Sequence, residues 1–214
     1  MKLFDMDGPL MAALNKISDL VFANLLFLVF SLPVVTIGAS LTALQTVVLD
    51  IARDQEGSIR RRFWQAFRSH FKQSTLLWLI FLAGALVLVG SYAAASTLGE
   101  SFARFYAVVL GALGIVLLLW FQFLFPLQSI RPAPVRQTAK TAFLLMILRL
   151  PYAVGMLLVV VAAVYLSFFL NPNTIGGATF LWLALGFALA TYCNAFLVLR
   201  AFRDLPELAE EETT

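Results

Sequence analysis

The chain is poor in the residue types that most enzyme sites use. Among 214 residues it has one cysteine and one histidine, and only 13% of its residues are charged. A single cysteine excludes an intrachain disulfide, and Cys193 lies in an apolar run, where we expect a small packing residue rather than a reactive thiol. Because acid–base and metal chemistry need clustered histidine, cysteine or carboxylate groups, we expect no enzyme activity, no bound metal and no cofactor.

Apolar residues dominate the composition instead. They make up 61% of the chain, with 20 phenylalanines, whereas a soluble domain is about half apolar and about a quarter charged. We therefore expect an all-α polytopic transmembrane helix bundle in which residues 1–204 form one domain. The acidic end, residues 205–214, is expected to be a disordered tail. Met1–Gly8 carries acids where a signal peptide would be basic, so no cleavable signal is expected.

The apolar runs predict about six membrane crossings, since about 20 helical residues cross about 30 Å of hydrocarbon. The expected spans are Leu14–Pro33, Ala39–Arg53, Ser74–Ala95, Phe105–Leu127, Leu150–Leu170 and Ala178–Leu199. The second run is short and polar, so it is either a short span shielded by protein or a half-span. With the N-terminus in the cytoplasm, fourteen of the 15 lysines and arginines lie on the inner side and only Arg104 lies outside. This bias predicts that both termini are cytoplasmic.

The stretch Ser31–Ser40, SLPVVTIGAS, interrupts the first two apolar runs. Pro33 should end the first helix, because proline has no backbone N–H. We expect Gly38 to relieve the bend and the hydroxyls of Thr36 and Ser40 to cap the next helix. The stretch, called the signature turn below, is predicted to lie at the outer side of the membrane. It is either a structural hairpin or an exposed mouth for a ligand or partner.

A basic segment follows at Arg53–Lys72. Phe63, Phe67 and Phe71 recur every four residues and so share one helical face. We expect a helix that lies in the membrane interface, with aromatic rings in the acyl boundary and cations at the headgroups. The residues assigned to this interfacial or docking surface are Arg60, Arg61, Arg62, Phe63, Trp64, Phe67, Arg68, Phe71 and Lys72. A lipid surface and a partner protein both remain open, whereas one short basic segment beside a span does not favour nucleic acid. A second such helix is expected near Val135–Leu148.

A few polar residues lie within the apolar runs. They are Asn24, Gln45, Asp50, Gln122 and Asn194. Such residues form interhelical hydrogen bonds, the role expected for Asn24, or they line a solute pathway around a broken helix. The sequence leaves both roles open for the group.

The opening DMDGPLMAALNKISDLVFANLLFLVFSLPVVTIGAS resembles the start of the YesL-type membrane proteins, a bacterial family of unknown function in the DUF624 group. An aromatic and basic segment like FWQAFRSHFKQSTLLWLI follows the turn in that family. The resemblance implies a protein of the bacterial cytoplasmic membrane, often encoded beside carbohydrate uptake and glycan degradation genes, and it implies no catalytic residues. We therefore expect an accessory or assembly partner of carbohydrate uptake that contacts a carbohydrate ABC-type transporter component. A small permease for a neutral solute is the alternative.

Overall fold

The computed structural model describes residues 9–55, 57–97, 99–169 and 175–202, and these are helical with short connections. The helices are α1 Pro9–Ser31, α2 Ile37–Ala52, α3 Ile59–Ser96, α4 Glu100–Ile130, α5 Val135–Leu148, α6 Leu150–Phe168, α7 Ile175–Leu181 and α8 Phe187–Phe202. A 3₁₀ turn, Val34–Thr36, joins α1 to α2, and a π-helical segment, Trp182–Gly186, joins α7 to α8. The predicted acidic tail and Met1–Gly8 lie outside the described residues.

Within the described ranges, six segments are long and apolar enough to cross a membrane. They are Ala13–Ser31, Val34–Ala52, Ile59–Ser96, Glu100–Ile130, Leu150–Phe168 and Gly176–Phe202. The expected all-α, multi-pass helix bundle is thereby confirmed. The amphipathic helix expected near Val135 is α5, which begins at that residue.

Helix α2 is the centre of the bundle. It packs against α1, α3, α4 and α8, and 56% of its most apolar stretch is buried, compared with 11–22% in the other five segments. Small residues such as Ala39 and Ala43, both fully buried, let neighbouring helices approach closely. Of the two alternatives for this run, the structure supports a short segment that is shielded by protein.

The basic segment is not a separate interfacial helix. It forms the first part of α3, which runs unbroken for 38 residues and is about 57 Å long at 1.5 Å per residue. The expected break between the basic helix and the Ser74–Ala95 span is therefore wrong, because no proline or glycine separates the basic residues from the apolar ones. The position of the basic residues at the membrane interface stays a prediction. Phe63 and Phe67 also differ from expectation. Both are buried, and their ring centroids lie 5.6 and 5.0 Å from that of Phe30 in α1.

Gly38 does not relieve a bend. It lies inside α2, and a Cβ at this position would meet the backbone carbonyl of Ser74 and lie only 2.6 Å from Cβ of Trp78. The bend is made by the residues before it. Glycine at position 38 therefore permits close contact between α2 and α3, which is a packing role that the turn motif did not reveal.

The two predicted caps are also wrong. Thr36 precedes α2, but its hydroxyl points back toward the end of α1. Its one proton can be donated to the carbonyl oxygen of Phe30 (2.6 Å) or to that of Pro33 (2.7 Å). Ser40 lies within α2, where its buried hydroxyl has no hydrogen-bond partner in the described chain. Because the orphan groups at the end of α1 are carbonyls, a hydroxyl can satisfy them only as a donor.

The signature turn lies beside the start of the Ser74–Ala95 segment. Trp78 Nε1 donates to the carbonyl of Val34 at 2.9 Å, and Thr42 Oγ1 donates to Ser74 Oγ at 2.7 Å. A turn at the outer side and a basic segment at the inner side would separate the turn from Ser74 by the thickness of the membrane, but the structure places them side by side. The reason is that α2 packs along the first half of α3 rather than along its more apolar second half.

Replacing Gly38 with alanine tests this contact. We expect the free energy of unfolding to fall by about 1–3 kcal/mol, because the added methyl group overpacks the α2–α3 contact. Gly111→Ala is the matched control, since a Cβ there meets nothing within 4 Å, and it should be neutral or stabilising by up to about 1 kcal/mol. Thermal unfolding in mild detergent measures both. Equal shifts in the melting temperature would contradict the packing role of Gly38.

Candidate functional site

A charged cavity of about 450 Å³ lies where α1, α2 and the start of α3 meet. Its charged lining residues are Lys16, Asp19, Asp50, Asp54 and Arg62. Two ion pairs cross it, between Lys16 Nζ and Asp54 Oδ1 at 2.6 Å and between Arg62 Nε and Asp50 Oδ2 at 2.9 Å. Asp19 makes no ion pair or hydrogen bond within the described residues. Among the described residues, the Asp19 carboxylate is therefore free to bind a ligand in the charged cavity.

The connection between α2 and α3 shapes this cavity. Asp54 has a positive φ of 55°, a conformation that aspartate tolerates better than most residues, and the backbone N–H of Gln55 donates to the carbonyl of Asp50 at 3.0 Å. Arg62 reaches back from α3 to the Asp50 carboxylate and lies 3.4 Å from Gln55 Oε1. Arg62 therefore holds α2 and α3 together. It was predicted to belong to the docking surface, but its guanidinium is used in this ion pair.

Seven of the nine residues assigned to the docking surface are exposed on α3, and one of them, Arg62, is paired with Asp50. The other six are Arg60, Arg61, Trp64, Arg68, Phe71 and Lys72, called the basic strip below. Their spacing places them on one side of the helix. The Arg68 guanidinium lies 5.9 Å from the centroid of the Trp64 ring, within the range of a cation–π contact. The strip is a continuous aromatic and cationic surface, and the partner it binds stays a prediction.

Asn24 is fully buried and bonds to the π-helical segment. Its Nδ2 lies 2.8 Å from the carbonyl of Leu183 and 3.3 Å from that of Trp182, and its Oδ1 accepts from the N–H of Ala188 at 3.0 Å. A π-helical turn interrupts the regular ladder of backbone hydrogen bonds, and inside a membrane such backbone groups need partners within the protein. Asn24 supplies them, so it has the interhelical role and is not free to face a solute.

The other four polar residues lie apart in the hydrogen-bond pattern, and their part in a pathway stays a prediction. Asp50 lines the charged cavity, and Gln122 is half-buried on α4. Gln45 and Asn194 each have a buried side-chain oxygen without a hydrogen-bond partner. Within the described ranges, no hydrogen bond joins any two of the five residues.

Sequence reasoning missed a polar network that joins α3, α4 and α5. Gln128 Nε2 donates to Gln73 Oε1 at 2.6 Å, and Thr138 Oγ1 donates to Gln128 Oε1 at 2.8 Å. No sequence pattern indicates which helices are neighbours, so this network could not be predicted from the sequence. The Lys16–Asp54 pair was accessible in principle, because an antiparallel hairpin brings the start of α1 to the end of α2.

The first three helices match a known protein family. Residues 20–92 match the model of DUF624, a protein family of unknown function. Over these residues the chain is similar to that family. It covers α1 from Leu20 onward, α2 and most of α3, and so includes the signature turn and the basic strip. No curated protein and no solved structure matches the chain.

Removing the Asn24 amide tests the role of its hydrogen bonds. Asn24→Leu should lower the free energy of unfolding by about 1–3 kcal/mol, because buried backbone groups of the π-helical segment lose their partners. Gln122→Leu removes an amide that makes no hydrogen bond in the described chain, so it should have little effect. Thermal unfolding in detergent compares the two variants. If Gln122→Leu destabilised the protein as much as Asn24→Leu, the pairing of Asn24 with the π-helical segment would not matter for stability.

Proposed function

We propose that the chain is an accessory or assembly protein of a bacterial carbohydrate uptake system. It acts in the cytoplasmic membrane, and its partner is a component of a carbohydrate ABC-type transporter that docks on the basic strip. The DUF624 match and the resemblance to YesL-type proteins support the family context. The carbohydrate link rests on that resemblance, since the matched family model describes no activity.

The basic strip is the observation that carries the docking proposal. Its four cations are exposed and make no ion pair within the described residues. The nearby carboxylates of Asp50 on α2 and Asp54 in the α2–α3 connection are already engaged by Arg62 and Lys16. The strip lies on one continuous helix, so few side chains and no backbone need to become ordered on binding. Exposed charges of one sign favour an oppositely charged partner and speed its association. An acidic partner surface fits this face of α3.

A small permease for a neutral solute remains the second candidate, and the charged cavity favours it. The cavity combines hydrogen-bond donors and acceptors with the unpaired Asp19 carboxylate. However, the polar residues considered for a pathway are separate from one another, and Asn24 is fully engaged by backbone groups. We therefore rank docking above permeation.

Charge reversal on the strip tests the docking function. Arg68→Glu with Lys72→Glu should reduce recovery of a transporter component in a mild-detergent pull-down about tenfold, because two exposed ion pairs become repulsive contacts. Arg53→Glu with Arg104→Glu makes the same charge change at exposed sites outside the strip and should leave recovery unchanged.

Two results would contradict the proposal. One is equal recovery of the transporter component with both double variants. The other is recovery of the protein without any partner, together with solute flux when it is reconstituted alone in liposomes, which would support the permease.

A further inference from the structure

An apolar groove of about 590 Å³ lies between α1 and the start of α3. Its floor and rim are formed by Leu26, Phe30, Phe63, Trp64, Arg60 and Arg61. The first four side chains are apolar, and the two arginines supply the charge. We call this feature the aromatic groove.

The floor of the aromatic groove is continuous with an apolar outer surface. The Phe30 ring centroid lies 5.6 Å from that of Phe63 and 5.5 Å from that of Trp64, so three rings form one surface. Leu25 and Val29, on the same stretch of α1, are 47% and 59% exposed. An apolar chain seated on the rings has room to continue along α1.

Among the described residues, no acidic side chain pairs with the rim of the aromatic groove. Arg60 and Arg61 make no ion pair within the described chain, and the first turn of α3 contains no acidic residue. The Ser58 side chain does not cap the helix. Cations at the N-terminal end of a helix are disfavoured by the helix dipole. An anion at the rim would relieve both the mutual repulsion of the arginines and their repulsion by the dipole.

We propose that the aromatic groove binds one anionic phospholipid. Its phosphate accepts hydrogen bonds from the guanidinium groups of Arg60 and Arg61, and an acyl chain covers Phe30 and Trp64. Arginine suits phosphate because its planar donors match the phosphate oxygens. A soluble phosphate would leave the apolar floor exposed to water, and the cation of a zwitterionic headgroup would meet two arginines. The inference does not depend on the transporter partner proposed above. With a lipid on Arg60, Arg61 and Trp64, that partner would dock on the rest of the basic strip, which is Arg68, Phe71 and Lys72.

Quenching of Trp64 fluorescence by lipids with brominated acyl chains tests the site on the purified full-length chain. Brominated phosphatidylglycerol should quench the signal of Trp64, isolated as the difference from Trp64→Phe, at a mole fraction at least tenfold lower than brominated phosphatidylcholine. Arg60→Gln with Arg61→Gln should raise the mole fraction of brominated phosphatidylglycerol needed for this quenching, by about fivefold for each arginine removed. Arg68→Gln with Lys72→Gln removes the same charge from the basic strip outside the groove and should change it less than twofold.

A lysine variant shows whether positive charge at the rim is what attracts the lipid, and the melting temperature shows whether a loss of binding reflects unfolding. Arg60→Lys with Arg61→Lys keeps both charges, so it should retain preferential quenching by phosphatidylglycerol, and the melting temperature shows whether each variant is folded.

Three outcomes would overturn the site. Equal quenching by the two lipids would mean ordinary boundary lipid. Equal losses in the two glutamine double variants would mean diffuse attraction to negative charge. Displacement of the lipid by an acidic peptide, with tighter binding of the peptide to the Arg60–Arg61 rim, would assign the groove to a protein partner.

Discussion

The register between α2 and α3 is the constraint on which the rest of the bundle depends. Three contacts fix it along the two helices: Gly38 against the Ser74 carbonyl, the Thr42–Ser74 hydrogen bond, and the Asp50–Arg62 ion pair. A shift of one turn would remove all three contacts together. Because α2 is also covered by α1, α4 and α8, the position of each of these helices follows from where α2 lies on α3.

Buried polar groups in this chain serve mainly to join helices. Asn24 ties α1 to the π-helical segment, and Gln128 links α3 to α5 through Gln73 and Thr138. Each of these contacts pairs donors with acceptors where lipid offers no alternative. Function is then better sought at surfaces and edges of the bundle, where the charged cavity, the basic strip and the aromatic groove lie.

Hydropathy and length predicted the helical class, the six apolar segments and the start of α5. These properties are local, since each depends on one stretch of sequence and on the thickness of a bilayer. The role of Gly38 was not predictable, because a glycine after a proline is equally compatible with a turn and with close packing against an unknown helix. The π-helical segment was not predictable from the sequence either. Gly186 is needed there because a side chain at this position would collide with the Trp182 ring, but the ring position is known only from the structure. The boundary between the basic helix and the following span was wrong because amphipathic spacing predicts an exposed face but does not say where a helix ends.

The three consecutive arginines show why identical residues need a structure to be told apart. Successive positions on a helix point about 100° apart, so Arg62 reaches Asp50 on α2 while Arg60 and Arg61 border the aromatic groove. Repulsion among these cations, and with the dipole of α3, acts at the place where the α2–α3 register is fixed. An anion bound by Arg60 and Arg61 would reduce that repulsion and so stabilise the first turn of α3, which carries Arg62. Lipid binding in the groove and the packing of the central helix are therefore expected to support each other.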